Sequence, residues 1–341
     1  MGGARRQRRG VPQPGSKDDL CRESSQAAAP TQTARRDNLT SVCVLILTHN
    51  ESLHIERAIT HVKSFAKEIF VIDSGSKDAT VEIAKANGAQ VLFNPWTNYS
   101  RQFQWGLDNA PITADWIMRL DADEVIEPAL AAEICEKLPT LGSDVAAVNL
   151  KRKHIFLDRW VRHGGRYPLI LTRIWRKGQG RIEDRWMDEH ILVWGGRTVL
   201  FDNPFSDHNL NDLTFFTDKH NRYANREAVD VLNQRYGLFA TDIVLTKDAS
   251  SLQASLKRFI KEKIYNRIPF PVSSFGYFIY RYMFQLGFLD GLEGLCYHFL
   301  QGFWYRFLVG AKIMEFERAI RHLPTREAKL AKLANMTGLK L

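Results

Sequence analysis

Asp121-Ala122-Asp123 sets two carboxylates two residues apart in what reads as an extended turn. Both can offer oxygen to one hard divalent cation, which keeps positions open for the oxygens of a diphosphate. The same acids in a turn that is only solvated would do no chemistry, so their company decides. Asn50 and Glu51 follow one apolar run, Asp73 follows a second, and Asp121 and Asp123 follow a third. The glycine signatures that cradle phosphate directly, GxGxxG and GxxxxGK followed by Ser or Thr, occur nowhere in the sequence. Phosphate would therefore have to be held through metal.

These acids need elements that bring them to one place. Val42 to Leu47 is continuously apolar and rich in β-branched residues, the profile of a strand buried on both faces. Ser52 can cap the helix that follows, with Ile55, Ala58, Ile59 and Val62 on one face. Glu68 to Ile72 reads as a second strand, Thr80 to Asn87 as a helix stopped by Gly88, and Val91 to Phe93 as a third strand. A helical stretch near Ser100 to Asn109 leads to a fourth strand, Trp116 to Leu120. Strands alternating with short helices predict an α/β fold, a parallel sheet with helices on both faces. In such sheets ligands bind outside the carboxyl ends of the strands, where these acids fall.

Composition agrees and excludes other classes. Of 341 residues, 45% are apolar and 25% charged, enough for a sizeable core and unlike disordered, collagenous or disulfide-scaffold chains. Cys21, Cys43, Cys135 and Cys296 are far apart with no CxxC, so neither a zinc cage nor a disulfide framework is indicated. The net charge of +9 belongs to the ends: residues 1–40, 251–320 and 321–341 are each +4, and 41–250 is −3. A nucleic-acid-binding core would carry its positive stripe on the folded domain, so no nucleic-acid partner is expected; basic flanks suit an anionic lipid surface better.

With these residues in hand, the chain resembles the family 2 glycosyltransferases of the GT-A fold, a Rossmann-like, mostly parallel sheet. The segments that carry the likeness are VLILTHNE (Val44 to Glu51), DSGSKDAT (Asp73 to Thr80) and DWIMRLDADE (Asp115 to Glu124). Gly164-Gly165-Arg166-Tyr167-Pro168, Arg173-Ile174-Trp175-Arg176 and RWMDEH (Arg185 to His190) extend it to the branch of lipopolysaccharide-core glucosyltransferases. The resemblance implies transfer of a sugar from a nucleotide sugar, UDP-linked by analogy, with inversion and with Mg²⁺ or Mn²⁺. It places Asp73 at the nucleobase, Asp121 near ribose and diphosphate, Asp123 on the metal, and Asn50 and Glu51 in the first nucleotide-contacting loop. Arg101 sits where the family often has a donor facing the nucleotide. Inversion needs a base for the acceptor hydroxyl. Glu189 aligns with the branch's glutamate, and Asp188 stands where relatives have histidine, so both are candidates, with Glu183 and Asp184 expected as surface acids. His208 matches a histidine that GT-A enzymes often use as a further metal ligand. Trp175, Trp186 and Trp194 are open to two readings, a sugar-stacking surface or core aromatics.

The last third differs. Leu252, Leu256, Phe259, Ile260 and Ile264 lie at helical spacing among lysines and arginines, a basic amphipathic helix. From Pro269 to Lys312 aromatics are dense, but charges interrupt every run that approaches the length of a spanning helix. The expected organisation is a disordered basic arm over 1–40, a catalytic domain over 41–245, a helical membrane-proximal or acceptor region over 246–320, and a basic tail over 321–341. The arm lacks the apolar segment of a secretory signal. The expected partners are a nucleotide-sugar donor, a glycan or lipid-linked glycan acceptor of lipopolysaccharide or exopolysaccharide assembly, and the inner face of a bacterial membrane. The alternatives are a sugar-phosphate nucleotidyltransferase, which should carry a glycine-rich basic loop after the first strand, and a non-catalytic basic protein on a membrane.

Overall fold

A computed structural model describes residues 41–184, 189–239, 268–339 and 341. The basic arm, the 252–264 helix, the boundary at 245, Trp186 and Asp188 lie outside them.

The expected α/β alternation is present. Strand β1 (Val42–Thr48) sits between β2 (Ala66–Asp73) and β4 (Trp116–Asp121), with β3 (Gln90–Phe93) outside β2, and these four are parallel. Beyond β4 the directions mix. β8 (Leu169–Arg176) runs antiparallel to β4 and to β6 (Val145–Phe156); β11 (Arg197–His208) is parallel to β6, and β5 (Glu124–Val125) closes antiparallel on β11. β7 (Arg159–Val161) pairs with β6, and β9 (Gly180–Ile182) pairs with β10 (Ile191–Val193) in a separate ribbon.

The two-residue period of β1 explains how the sheet is covered. Val42, Val44 and Ile46 face α1 (Ile55–Val62), α2 (Thr80–Ala86) and α4 (Pro128–Lys137), while Cys43 and Leu45 face α3 (Tyr99–Asn109) and Trp175. Gly88 stops α2 at φ +89° as its position predicts. Ser52 does not cap α1. The chain first turns through Glu51–His54, whose carbonyl at Glu51 accepts from His54 N and Ile55 N, and the Ser52 amide is taken by Asp78 Oδ2 at 3.1 Å.

After β11, Asp212 caps α5 (Leu213–Tyr236) by accepting from the Phe215 amide, and Gly237 ends it at φ +61°. α6 (Phe270–Ile279) runs into a π-helical turn, Tyr280–Phe284; α7 (Gly291–Tyr297) and a second π segment, His298–Trp304, lead to α8 (Tyr305–Ile320) and α9 (Arg326–Thr337). α5, α8 and α9 share a core of Val229, Leu232, Phe316, Ile320 and Leu333. Tyr297 joins the helices to the sheet by packing on Phe156 and Val161. Among the described residues no helix is long and apolar enough to cross a membrane. The helical region nevertheless leaves Phe275, Met283, Phe284, Leu289, Leu292 and Phe299 exposed.

Candidate active site

The register of the sheet brings the strand-end acids together. Thr48 pairs with Asp73 on one side of β1, and Leu47 pairs with Asp121 on the other, so both acids leave the sheet at one edge. Each is then fixed by its own surroundings.

Asp73 accepts from Thr48 Oγ1 (3.1 Å), from the Gly75 and Ser76 amides (2.8 and 2.9 Å) and from the Ser76 hydroxyl. Burial works against its charge, but these bonds outweigh burial and hold the carboxyl below its usual range. Four bonds fill the acceptor sites of one carboxylate, so here Asp73 organises the loop that follows it. Asn50, at φ +57°, ties that loop to the first one. Its amide donates to Ser76 Oγ (2.9 Å) and its Oδ1 accepts from Lys77 N (2.8 Å). The Glu51 amide donates to Thr80 Oγ1 (2.7 Å), and Glu51 Oε2 meets His54 Nδ1 (2.7 Å).

Asp121 lies in a cage of cations. Tyr99 OH donates to its Oδ1, Arg119 Nε stands 3.8 Å away and bonds Tyr99 OH at 3.0 Å, and Arg173 Nη2 is 3.4 Å from Oδ2. Desolvation opposes ionisation, yet Arg119, Arg173 and Tyr99 bring the carboxyl down to about 2. Arg173 also pairs with Glu124, whose Oε2 accepts the Asp121 amide (3.0 Å). Burial and the nearby Asp121 charge push Glu124 up to about 8 in spite of Arg173.

Asp123 has the opposite balance. Burial, then the charges of Asp207 and Asp121, raise its carboxyl above the usual range, opposed by Lys219 and by Asn209 Nδ2 donating at 2.9 Å. Asp207, opposite Glu124 in the β5–β11 pair, is held below its usual range against burial by His154 (3.1 Å), Arg152 (3.5 Å) and Lys219. The structure therefore sets Asp207 beside Asp123. His208 is one residue on, and its ring meets Asp158 Oδ1 (3.0 Å) and Arg57 Nη1 (3.4 Å).

Of the remaining expected residues, Arg101 is exposed on the cleft wall, 3.9 Å from Asp184, which accepts from Ser100 Oγ (2.9 Å). Glu183, expected on the surface, is instead buried and faces His190 Nδ1 at 3.3 Å, because β9 and β10 fold over it. The Glu189 carbonyl accepts from Arg119 Nη1 (3.2 Å). Trp175 is a core residue and Trp194 is exposed.

Tyr99, Arg119, Asp207 and Lys219 escaped the sequence reading, and Arg173 entered it only as part of a motif, with no role. Arg119 had a signal: a lone charge inside the apolar run of β4. The others act through long-range pairings that local pattern does not show.

Asp121, Asp123, Asp207 and Arg101 line one cleft of about 2270 Å³ that continues past β6 to Tyr297 and Arg281 in the helical region. Among the described residues no three His, Cys, Asp or Glu side chains form a complete metal cage. The donor set fits a different case, a divalent ion that arrives with oxygen ligands of its own. Asp123 and Asp207 are hard oxygen donors whose mutual repulsion a cation would relieve.

The sequence profile of glycosyl transferase family 2 matches residues 43–208. An uncharacterized glycosyltransferase of Rickettsia prowazekii is 41% identical over 93 residues, 27% of this chain and 31% of that protein. Glycosyltransferase SunS of a Bacillus subtilis prophage is 33% identical over 94 residues, 27% of this chain and 22% of its own. The chain thus spans no more than about a third of the curated relatives it matches. A crystal structure of glucosyl-3-phosphoglycerate synthase from Mycobacterium tuberculosis, in complex with Mn²⁺, UDP and glucosyl-3-phosphoglycerate, aligns with 36% of this chain and 46% of that one at 22% identity and a TM-score of 0.28. The match to glycosyl transferase family 2 runs from the second residue of β1 to the last of β11.

Proposed function

We propose that the protein transfers a sugar from a nucleotide sugar to a glycan acceptor with inversion, and that UDP is the carrier to test first. The observation that carries this reading is the convergence of Asp121, Asp123 and Asp207 from two strand ends onto one cleft, inside the span that matches the family. Asp123 and Asp207 would hold Mg²⁺ or Mn²⁺. When bound, the ion neutralises charge on the departing nucleoside diphosphate. The chain's own groups do the rest. Asn50, Glu51 and the Asp73 loop form the wall for the nucleoside, and Arg119 with Arg173 keeps Asp121 ionised and in place. On the acceptor side the hydroxyl oxygen attacks the anomeric carbon as its bond to the diphosphate breaks, and the hydroxyl proton passes to a carboxylate. Glu189, whose carbonyl is tied to Arg119, is the first choice for that base, and Asp188 the second.

A lipid-linked acceptor of lipopolysaccharide or exopolysaccharide assembly, met at the inner face of a bacterial membrane, is part of the same proposal. Its support is the exposed apolar side chains of the helical region together with the basic flanks of the sequence.

The test is calorimetric titration of UDP, GDP, dTDP and CDP with Mn²⁺ and with EDTA, on the wild type and on Asp123→Ala. Mn²⁺-dependent binding of one nucleotide, lost in the folded variant, is expected. Binding that ignores both metal and Asp123, or no binding at all, would overturn the assignment.

A further inference from the structure

Beyond the strand-end acids the same cleft is lined by Arg152, His154, Arg166 and Arg281, whose charges are not all balanced. On β6, Arg152 and His154 face Asp207 and are compensated. Arg166 and Arg281 are not. Gly164 and Gly165 sit at φ +66° and +67°, and a Cβ on Gly164 would stand 2.1 Å from the His298 ring, so this loop docks against the helices as only glycine allows. The loop then delivers Arg166 to the cleft. From the other side the π-helical turn supplies Arg281, 3% exposed, whose Nε donates to Gly164 O at 2.8 Å. π-helical turns often mark functional positions.

Both guanidinium groups lie over Tyr297, at 5.3 Å for Arg166 and 5.8 Å for Arg281. Neither pairs with a carboxylate among the described residues. Asp290, the acid of the adjoining turn, is taken by the His163 ring (2.6 Å) and amide (2.8 Å). Arg281 Nη2 and Arg166 Nε are buried with no hydrogen-bond partner. Burial and then the Arg166 charge act against the Arg281 cation, which lies below its ordinary range although Tyr297 and Tyr277 favour it. A buried cation beside a half-buried one, both with open donors, costs free energy until an anion joins them, and the planar forks of arginine match phosphate or carboxylate oxygens two at a time.

We propose that Arg166 and Arg281 form an anion subsite for a phosphate or carboxylate group on the acceptor. The assignment to the acceptor rests on the transferase reading, since the nucleotide loops belong to β1, β2 and β4 and these arginines to the half of the cleft beyond β6. The anion site itself does not depend on it.

The test titrates inorganic phosphate into the full chain, with and without a saturating nucleoside diphosphate and Mn²⁺. Saturable binding is expected, weakened about tenfold or more in Arg166→Gln, the loss of one charge-assisted pair, with nucleotide affinity unchanged. Arg281→Lys, which keeps a charge but loses the fork, should weaken it as well; because Arg281 also anchors Gly164, a thermal melt accompanies it. Glucose 6-phosphate displacing the phosphate would identify a phosphorylated sugar, and phosphatidylglycerol vesicles displacing it would identify a lipid headgroup. Phosphate binding equal in wild type and Arg166→Gln, or absent in the millimolar range, would overturn the site. Loss of nucleotide and phosphate binding together would move the arginines to the donor and overturn the acceptor assignment. Phosphate binding through Arg166 without any nucleotide binding would support the site and sink the transferase reading instead.

Discussion

Glu133 on α4 holds together a part of β11 that the sheet does not. Between Leu200 and Pro204 the β6–β11 register shifts, and the inserted residues lose their ladder partners. Glu133, 5% exposed, replaces them: Oε1 accepts from Asp202 N (2.9 Å) and Lys137 Nζ (2.8 Å), and Oε2 from Asn203 N (2.8 Å) and Asn203 Nδ2 (2.9 Å). Burial raises its carboxyl, but the bonds from Asp202, Lys137 and Asn203 bring it from 4.5 down to about 2. That displacement is worth about 3 kcal/mol of stability to the ionised group. We expect Glu133→Gln to lose about 2–3 kcal/mol at pH 7, since one oxygen and the charge are removed while part of the bonding survives. The sign follows from a depressed carboxyl: its contribution is complete above about 4.5, where the unfolded chain is also ionised, and disappears as pH falls toward about 2. The gap between wild type and variant should narrow by about 0.8 kcal/mol at pH 4 and by about 2 kcal/mol at pH 3. Urea unfolding followed by tryptophan fluorescence at pH 7, 4 and 3 measures it. Equal midpoints at pH 7, or a gap unchanged at pH 3, would refute this account of how β11 reaches its register and delivers Asp207.

Three further outcomes are expected. Glu189→Gln should abolish transfer and leave nucleotide binding intact; loss of both would assign Glu189 to the nucleotide site or to structure. Arg173→Met leaves Glu124 buried and Asp121 half-buried without their shared guanidinium and should cost about 3–5 kcal/mol in urea unfolding, so a cost under about 1 kcal/mol would mean that the pair is not needed for folding. The full chain should sediment with phosphatidylglycerol vesicles, and Phe284→Ser with Leu292→Ser, at side chains 76% and 70% exposed, should weaken that binding about tenfold or more; identical sedimentation would remove the helical face from any membrane role.

Much of the sheet was legible because its signals are local. The apolar runs of β1 and β2 and the Gly88 stop each follow from neighbouring residue types, and the strand-end acids follow from those strands. Where two segments meet through distant pairing, local pattern was silent. Ser52 looked like a cap because nothing in its neighbourhood revealed that Asp78, twenty-six residues on, would take its amide. Glu183 looked solvated because the ribbon that buries it closes only when β9 meets β10. Asp207 carried no signal of its own next to His208, since its place beside Glu124 comes from the pairing of β11 with β5, strands far apart in sequence. Arg166 and Arg281 are 115 positions apart and meet only through packing around Tyr297.

The two loops after β1 and β2 are laced by bonds that need no ligand: Asn50 to Ser76 and Lys77, Glu51 to Thr80, Ser52 to Asp78, and Ser74 to Thr48. The conformational entropy of ordering that wall, about 1–2 kcal/mol for each residue fixed, is therefore spent during folding and not at the moment a nucleotide arrives. Association should be a single step whose observed rate rises linearly with nucleotide concentration, and the amides of residues 74–80 should already exchange slowly with solvent in the free protein.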